Sequence, residues 1–224
     1  MFQVKVCGIK DAQTAAFCSS LGIGAIGLNF YGKSKRYVNP ESARSIVDAT
    51  ESSTLKVGLF VNHDAETIIE LSADLDLDAI QLHGTESVEI VDQLSALPDS
   101  QKIIRAVRIS KSNQSEALRE IESWSGDRYR HRIGAILLDA WVDNSFGGTG
   151  QQIDWEWLAG IDLPTDKPII LAGGLKPENV AQAISVIKPA GVDVAGGVED
   201  SEGNKHPDLI RDFHSIASQS FDRI

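Results

Sequence analysis

Residues 168–199 contain the pattern that most restricts what this chain can fold into. An apolar run at residues 168–172 ends in the glycine pair Gly173-Gly174, and a helical segment follows it. A second apolar run, at residues 191–194, is closely followed by another pair, Gly196-Gly197. Two parallel strands need a long crossover between them, so the pattern predicts a strand–helix–strand unit. Each strand of this unit then has a glycine pair at its carboxyl end.

The same alternation of apolar run and helical segment repeats along the whole chain. Eight runs predict strands, at residues 2–7, 23–30, 55–61, 78–82, 102–107, 133–139, 168–172 and 191–194. Such alternation indicates a parallel sheet, and eight repeats within 224 residues favour a closed (β/α)8 barrel. No composition break marks a linker, so residues 1–224 are predicted to form a single domain. An open doubly wound sheet is the alternative, but Cys7-Gly8-Ile9-Lys10 lacks its G-x-G-x-x-G spacing.

Residues that favour helix starts lie between the predicted strands. Asp11, Asn39 before a proline, and Asp64 are predicted N-caps, and Asn113 with Glu116 three residues later predicts a capping box. Further helices are predicted at 87–97, at 154–158, from 176, and from 206 to about 218. Residues 125–132 are predicted to be an exposed linker, and residues 141–152 a glycine-bearing loop.

The two glycine pairs together predict a phosphate site. Glycine lets the backbone approach a ligand closely and point N–H groups at it, which a phosphate group requires. The last two strands of a (β/α)8 barrel are also where such barrels commonly bind phosphate. Plain turns are the alternative for either pair alone. Two pairs at equivalent places in consecutive units favour the binding site.

Composition and charge restrict the partners. The formal net charge of −11 argues against nucleic acid and acidic membrane surfaces, but backbone N–H groups can still hold an anionic substrate. Cys7 and Cys18, eleven residues apart, do not form a secreted disulfide framework. No apolar run reaches the length of a membrane span, and the N-terminal residues lack the order of a signal peptide, so a cytoplasmic location is predicted. The five histidines are scattered without a metal-ligand spacing, so no metal site is expected.

Three titratable residues at or after strand ends are candidates for chemistry, because barrel enzymes act at the carboxyl ends of their strands. Cys7 ends the first predicted strand and could be a nucleophile or general base, or a buried core cysteine. Asp139 ends an apolar run, where partial desolvation suits a general acid; a carboxylate that caps loop N–H groups is the alternative. Arg36 could pair with a carboxylate, or be a solvated surface side chain.

Two further polar residues lie at the predicted site. His83 ends the fourth strand and could contact the substrate or a backbone carbonyl, although a packed histidine with satisfied ring nitrogens is favoured. Asp193 lies within the eighth strand and is expected to point towards the site or towards a neighbour on the seventh strand.

Motifs along nearly the whole chain resemble the phosphoribosylanthranilate isomerase family. They occur in family order: Lys5-Val6-Cys7-Gly8-Ile9, Gly27-Leu28-Asn29-Phe30, Ser34-Lys35-Arg36-Tyr37-Val38, Val57-Gly58-Leu59-Phe60-Val61-Asn62, Gln81-Leu82-His83-Gly84, Leu138-Asp139, Gly147-Gly148-Thr149-Gly150, Asp154-Trp155, Leu171-Ala172-Gly173-Gly174-Leu175 and Gly197-Val198-Glu199. No single motif is decisive. Their order and spacing together are highly specific.

The resemblance implies a (β/α)8 isomerase that carries out an Amadori rearrangement with neither cofactor nor metal. It implies that Asp139 is the general acid, that Cys7 is the general base and that Arg36 holds the anthranilate carboxylate. Backbone N–H groups after strands seven and eight would hold the phosphate. The expected partner is a small phosphorylated substrate, with neither nucleic acid nor membrane, and the chain is expected to be a monomer or a homodimer.

Two positions depart from the family pattern. Ala195-Gly196 stands where the family usually has two serines, so the phosphate loop lacks their hydroxyls, and Lys205-His206 stands where Lys-Asp is usual. The first departure leaves open a related (β/α)8 isomerase or epimerase that acts on another sugar phosphate. A non-enzymatic binder of phosphate esters is disfavoured, because both the candidate acid and the candidate base are present.

Overall fold

Eight parallel strands close into one barrel in the computed structural model, which describes residues 2–140 and 154–224. The strands are β1 (Val4–Cys7), β2 (Ala25–Asn29), β3 (Leu55–Phe60), β4 (Ala79–Leu82), β5 (Lys102–Ile109), β6 (Ile133–Ala140), β7 (Ile169–Leu171) and β8 (Gly191–Val194). Each strand pairs with the next in sequence, and β8 pairs with β1 to close the sheet. The predicted (β/α)8 barrel is therefore confirmed, and the open sheet was the wrong alternative.

A helix follows every strand. The helices are α1 (Ala12–Ser20), α2 (Pro40–Asp48), α3 (Ala65–Asp74), α4 (Ile90–Gln93), α5 (Gln114–Ser125), α6 (Trp155–Ala159), α7 (Val180–Ile187) and α8 (Pro207–Phe221). The side chains of Asp11, Asn39 and Asp64 each accept a hydrogen bond from the N–H three residues later, as predicted for N-caps. These caps satisfy backbone donors that the first turn leaves unpaired.

The predicted capping box before α5 is wrong. The Asn113 side chain accepts from the N–H of Ser110 at 2.7 Å and donates to the carbonyl of Arg108 at 2.9 Å. It therefore closes the turn that leaves β5 and makes no side-chain cap bond to the helix. Asparagine favours such local turns as readily as helix caps, and the sequence pattern does not separate the two uses.

The segment at residues 125–132 is largely exposed, as its polar composition predicts, but it contains two buried residues, Tyr129 and Arg132. Tyr129, in the 3₁₀ turn Asp127–Tyr129, is buried, and its hydroxyl donates to Asp92 at 2.8 Å. Arg132 is 4% exposed and donates to the carbonyl of Leu97 at 3.1 Å. A long amphipathic side chain can bury its stem when carbonyl groups receive its charged end.

Several element boundaries also differ from the predictions. The helix predicted at 87–97 is a single short turn, α4, continued by a 3₁₀ turn at Leu94–Ala96. Helix α7 begins at Val180 because residues 177–179 form a turn rather than its first residues. Helix α8 continues to Phe221, beyond the predicted end near residue 218. The loop predicted at 141–152 lies outside the described residues.

Alternation along β1 decides which side chains face the barrel interior. Val4 and Val6 belong to the large core between the strands and the surrounding helices. Lys5 and Cys7 have the opposite orientation, because successive side chains of a strand point to opposite faces. The apolar residues of this interior cluster are Phe2, Ala25, Val57, Ala79, Ile104, Ala106, Ala135, Leu137, Ile170 and Ala172.

Candidate active site

A thiol and a carboxylate lie at the carboxyl ends of two strands on different sides of the barrel mouth. Cys7 is the last residue of β1, and Asp139 is the second-last residue of β6. Strands β7 and β8 stand between them on the shorter way around the sheet. The two residues are 5% and 6% exposed, so both groups are largely removed from water.

The Cys7 thiol fits beside a glycine of the neighbouring strand. A Cβ atom on Gly27 would lie 2.7 Å from Cys7 Sγ and 3.2 Å from Lys5 Cε, so only glycine leaves room for both side chains. Burial raises the pKa of Cys7, while the nearby Lys5 and Lys205 ammonium groups lower it and the Asp193 carboxylate raises it further. The surroundings therefore favour the neutral thiol when no ligand is present.

Lys5 and Asp193 form an ion pair inside the barrel. Lys5 is 0% exposed, and its Nζ donates to Asp193 Oδ1 at 2.9 Å. Burial opposes the charge on Lys5, yet the carboxylate of Asp193 and the neighbouring Cys7 raise the pKa of the lysine overall. Of the two directions expected for Asp193, the one towards a neighbour on the seventh strand is wrong, because its partner Lys5 is on β1, opposite it in the strand register.

Asp139 is held by hydrogen bonds at both oxygen atoms. The ring Nε2 of His83 lies 3.2 Å from Asp139 Oδ2, and the N–H of Ala140 donates to Oδ1 at 2.9 Å. The Gln81 Nε2 lies 3.0 Å from the other ring nitrogen of His83. His83 is thus packed and bonded on both sides, as its favoured interpretation predicted, but its partners are side chains rather than a carbonyl.

Arg36 is buried rather than exposed at the surface. It is 7% exposed, and its Nε and Nη2 atoms both donate to the carboxylate of Glu199, the second at 2.9 Å. Lys205 adds a hydrogen bond to Glu199 at 3.0 Å, and Lys35 contributes a nearby charge. Although burial opposes ionisation, Arg36 and Lys205 lower the pKa of Glu199 to about 2.

The two predicted glycine pairs lie next to each other at the same edge of the barrel. Gly173 and Gly174 have φ values of +82° and +66°, a conformation that glycine adopts without strain. A Cβ on Gly197 would lie 1.8 Å from the carbonyl oxygen of Leu175, one residue past the first pair. A Cβ on Gly196 would lie 3.3 Å from Arg36 Nη2, so the second pair also adjoins the buried arginine.

Lys5, Gln81 and Glu199 are buried site residues that the candidate set did not include. A signal for the first two is present in the sequence: each lies two residues before a candidate, Cys7 or His83, and so shares its face of the strand. Glu199 lies beyond β8 in an irregular segment, where no periodicity indicates its direction.

Metal-binding clusters and membrane-spanning helices are both absent from residues 2–140 and 154–224. No three His, Cys, Asp or Glu side chains in these ranges are grouped to hold a metal ion. No helix in the same ranges is long and apolar enough to cross a membrane.

Comparison with known proteins places the chain among its relatives. The family model described as N-(5'-phosphoribosyl)anthranilate (PRA) isomerase matches residues 4–215. The chain belongs to this family. The N-(5'-phosphoribosyl)anthranilate isomerase of Gloeothece citriformis is 41% identical over 212 residues, which cover 94% of this chain and 91% of that protein. The predicted isomerase family is thereby confirmed.

Solved structures of the same family share the fold. The phosphoribosyl anthranilate isomerase of Thermotoga maritima superposes with a TM-score of 0.82 at 35% identity, covering 98% of this chain and 100% of that one. A family structure in complex with reduced 1-(o-carboxyphenylamino)-1-deoxyribulose 5-phosphate has a TM-score of 0.79 at 34% identity, with the same coverage. The barrel described above is therefore the fold of this isomerase family.

Proposed function

We propose that this protein converts N-(5'-phosphoribosyl)anthranilate into 1-(2-carboxyphenylamino)-1-deoxyribulose 5-phosphate in tryptophan biosynthesis. Family membership over residues 4–215 supports the reaction class. The observation that carries the assignment to this chain is the buried thiol of Cys7 and the buried carboxylate of Asp139 at the mouth of one barrel. An Amadori rearrangement needs an acid and a base on one sugar, and these two groups supply that pair.

In the proposed first step, Asp139 acts as the general acid. It donates a proton to the furanose ring oxygen, the bond between that oxygen and C1 breaks, and a Schiff base forms between C1 and the anthranilate nitrogen. The hydrogen bonds from His83 and Ala140 fix the carboxyl group in one orientation. A fixed donor needs little reorganisation during proton transfer, which lowers the barrier.

In the proposed second step, Cys7 acts as the general base in its thiolate form. It removes the proton from C2 of the opened sugar, and the electron pair moves to the C1–C2 bond to give an enolamine. The enolamine then tautomerises, with a proton added at C1 and the C2 hydroxyl becoming a ketone. The cationic nitrogen of the Schiff base acidifies the C2 proton and so helps a buried thiolate to abstract it.

Arg36 is proposed to bind the anthranilate carboxylate. Glu199 accepts from its Nε and Nη2 atoms, so the Nη1–Nη2 edge of the guanidinium is the one that can hold a second carboxylate. A planar guanidinium with one edge fixed presents its other edge in a defined direction. The Arg36–Glu199 pair thus supports a role in positioning the aromatic half of the substrate.

The phosphate is proposed to bind to backbone N–H groups of the two glycine pairs, Gly173-Gly174 and Gly196-Gly197. The pairs adjoin at one edge of the barrel, and the second pair carries no hydroxyl side chain. His83 and Asp193 are proposed to line the space that the sugar occupies between the phosphate and the reacting carbons. We further propose that residues 1–224 form a single domain that acts without a cofactor.

Turnover by the purified protein tests the proposed reaction. The protein should convert N-(5'-phosphoribosyl)anthranilate into the ribulose product, followed by chromatography and mass spectrometry. Its gene should also restore growth without tryptophan to a strain that lacks this isomerase. A panel of other phosphoribosyl amines and sugar phosphates tests the alternative reactions. No turnover of the anthranilate compound, together with turnover of another member of the panel, would overturn the proposal.

A further inference from the structure

We propose that Lys5 is the counter-ion that stabilises the thiolate of Cys7, and that Asp193 holds the Lys5 ammonium group in place for this purpose. The inference deepens the proposed function and rests on the role given there to Cys7 as a base. It makes Lys5 a positioning residue, which acts on the substrate only through the charge of the thiol.

The strand register puts the three side chains in one interior space. Lys5 is paired with Asp193 across β1 and β8, and Cys7 lies two residues further along the same face of β1. Cys7 Sγ and Lys5 Cε both lie close to one point beside Gly27, at 2.7 and 3.2 Å. The two atoms are therefore no more than about 6 Å apart, and the Lys5 ammonium nitrogen is one bond beyond Cε. An opposite charge within about 4–6 Å favours an ionised form.

The thiolate needs compensation because its surroundings are apolar. Cys7 is 5% exposed and packs with Leu59 and Val61, so burial raises the pKa of the thiol above its usual range. Charged side chains of the described residues act on the thiol in both directions. Lys5 from β1, Lys205 after β8 and Arg36 after β2 favour the thiolate, whereas Asp193 from β8 opposes it.

Lys5 differs from the other two cations in its partner. Lys205 and Arg36 both donate to Glu199, which follows β8, whereas the partner of Lys5 is Asp193 within β8. Lys5 is the cation that shares the Gly27 space with the thiol. Among the described residues it is therefore the cation best placed to act on Cys7.

Stability alone gives a poor account of the Lys5–Asp193 pair. Removing two charges from water has a large free-energy cost, and apolar side chains of similar volume often stabilise a core at least as well. The pair lies beside a cluster of such apolar residues inside the barrel. A charged pair next to a thiol thus fits an electrostatic role better than a packing role. Lys5 keeps its proton throughout, and the thiol proton leaves to the solvent buffer.

The test measures how fast iodoacetamide alkylates Cys7 at different pH values in the absence of substrate, by peptide mass spectrometry. Only the thiolate reacts, so the profile reports its population. In Lys5→Met, alkylation at neutral pH should be about 10-fold slower, because a close opposite charge is lost. In Asp193→Asn, alkylation should become faster, because the amide oxygen can still accept from Lys5 and hold it in place while the opposing negative charge is removed. Lys102→Met, a change at an exposed lysine of β5, should leave the rate unchanged.

The opposite signs of the two changes keep the test decisive. General loosening of the barrel would accelerate alkylation in both variants, and this result, or unchanged rates in both, would overturn the proposal. If Lys5→Met does not fold, the double variant Lys5→Met/Asp193→Asn replaces the ion pair with a neutral pair and should still react more slowly than the wild type. Equal or faster reaction of the folded double variant would also overturn it.

Failure of the proposed function can be told apart from failure of the counter-ion proposal, because alkylation is measured without substrate. Suppose that the alkylation rate changes in opposite directions in the two variants, but the protein does not turn over N-(5'-phosphoribosyl)anthranilate. The proposed reaction would then be rejected, and the role of Lys5 as counter-ion would be supported. Turnover of this substrate with unchanged alkylation rates in both variants would reject the counter-ion role of Lys5 and support the proposed reaction. In the active protein, Lys5→Met should lower kcat at neutral pH and move the alkaline limb of the pH–rate profile with the alkylation profile.

Discussion

The imidazole Nε2 of His83 lies 3.2 Å from the carboxylate Oδ2 of Asp139 at the barrel mouth, although the two residues are 56 positions apart in sequence. The other ring nitrogen of His83 lies 3.0 Å from Nε2 of Gln81. An amide N–H can only donate, so the His83 Nδ1 accepts and the ring proton is on Nε2. His83 thus donates to the group proposed as the general acid, and Gln81 selects the tautomer that allows this.

The tautomer of His83 can be measured directly. Long-range ¹H–¹⁵N correlation spectra near neutral pH should show a protonated Nε2 and an unprotonated Nδ1. In Gln81→Leu the amide donor is lost, and the share of the Nε2-protonated tautomer is expected to fall, because only the hydrogen bond to Asp139 then favours it. A wild-type spectrum with the proton on Nδ1 would contradict the direction of both hydrogen bonds.

Replacement of Asp139 with Asn should nearly abolish the reaction while leaving the fold intact. The amide keeps the shape of the carboxyl group, and its oxygen can still accept from Ala140 while its NH2 group takes the place of the oxygen near His83. An amide is too weak an acid to protonate the ring oxygen. We expect kcat to fall by about 10²- to 10⁴-fold, the usual contribution of a general acid. Asp212→Asn, at an exposed position of α8, is the matched control and should retain wild-type kinetics. Wild-type kcat in Asp139→Asn would exclude the assigned role.

Replacement of Cys7 with Ser tests the proposed base separately. A hydroxyl group is far less acidic than a thiol, so kcat should fall by about 10²-fold or more with little change in folding. Cys18→Ala is the control for loss of a thiol. Cys18 is fully buried in α1, and burial raises its pKa to about 12, so it does not supply a thiolate at neutral pH. The two variants should therefore differ strongly in kcat; equal activity would remove Cys7 from the mechanism.

The buried Glu199 should make stability depend on acid pH. Arg36 and Lys205 lower its pKa from 4.5 to about 2 despite its burial, so the folded state binds a proton less readily than the unfolded chain. The resulting stabilisation, about 3 kcal/mol at most, is present above pH 4.5 and is lost as the pH falls towards 2. Urea unfolding of the wild type should show this loss.

In Glu199→Gln, the dependence of stability on pH in that range should be weaker, since the titrating group is gone. KM should also rise more than kcat falls, because Arg36 loses the carboxylate that orients it. Glu202→Gln, at an exposed position of the same loop, is the control and should behave like the wild type. An unchanged acid profile in Glu199→Gln would show that this ion-pair cluster does not contribute to stability.

The adjacent glycines of the second pair should respond differently to a side chain. In Gly197→Ala, the new Cβ would overlap the carbonyl oxygen of Leu175, so the backbone must move apart. We expect a loss of about 1–3 kcal/mol in the free energy of unfolding and a higher KM for the phosphorylated substrate.

In Gly196→Ser, the Cβ meets only the end of the Arg36 side chain at 3.3 Å, which can shift by a few tenths of an ångström. Stability should stay near that of the wild type, and the added hydroxyl should leave KM unchanged or lower it. Equal losses in the two variants would contradict the close approach of backbone to backbone at Gly197.

The fold was predictable because its signals are local. The order of eight strands follows from the repeated alternation, and caps such as Asp11, Asn39 and Asp64 act within three residues. The same locality explains the errors. Asn113 has the same side chain whether it caps a helix or closes a turn, and the burial of Arg132 depends on carbonyl groups that lie more than thirty residues away.

The sequence by itself determined the barrel, the strand ends and therefore the positions of Cys7 and Asp139, since side-chain alternation and strand length are properties of short segments. Only the tertiary structure decided the partners of these groups. Lys5 meets Asp193 across 188 residues, and Arg36 meets Glu199 across 163, because closure of the sheet brings the first and last strands together. The electrostatic surroundings of the thiol and of the arginine thus arise from barrel closure, which no local pattern records.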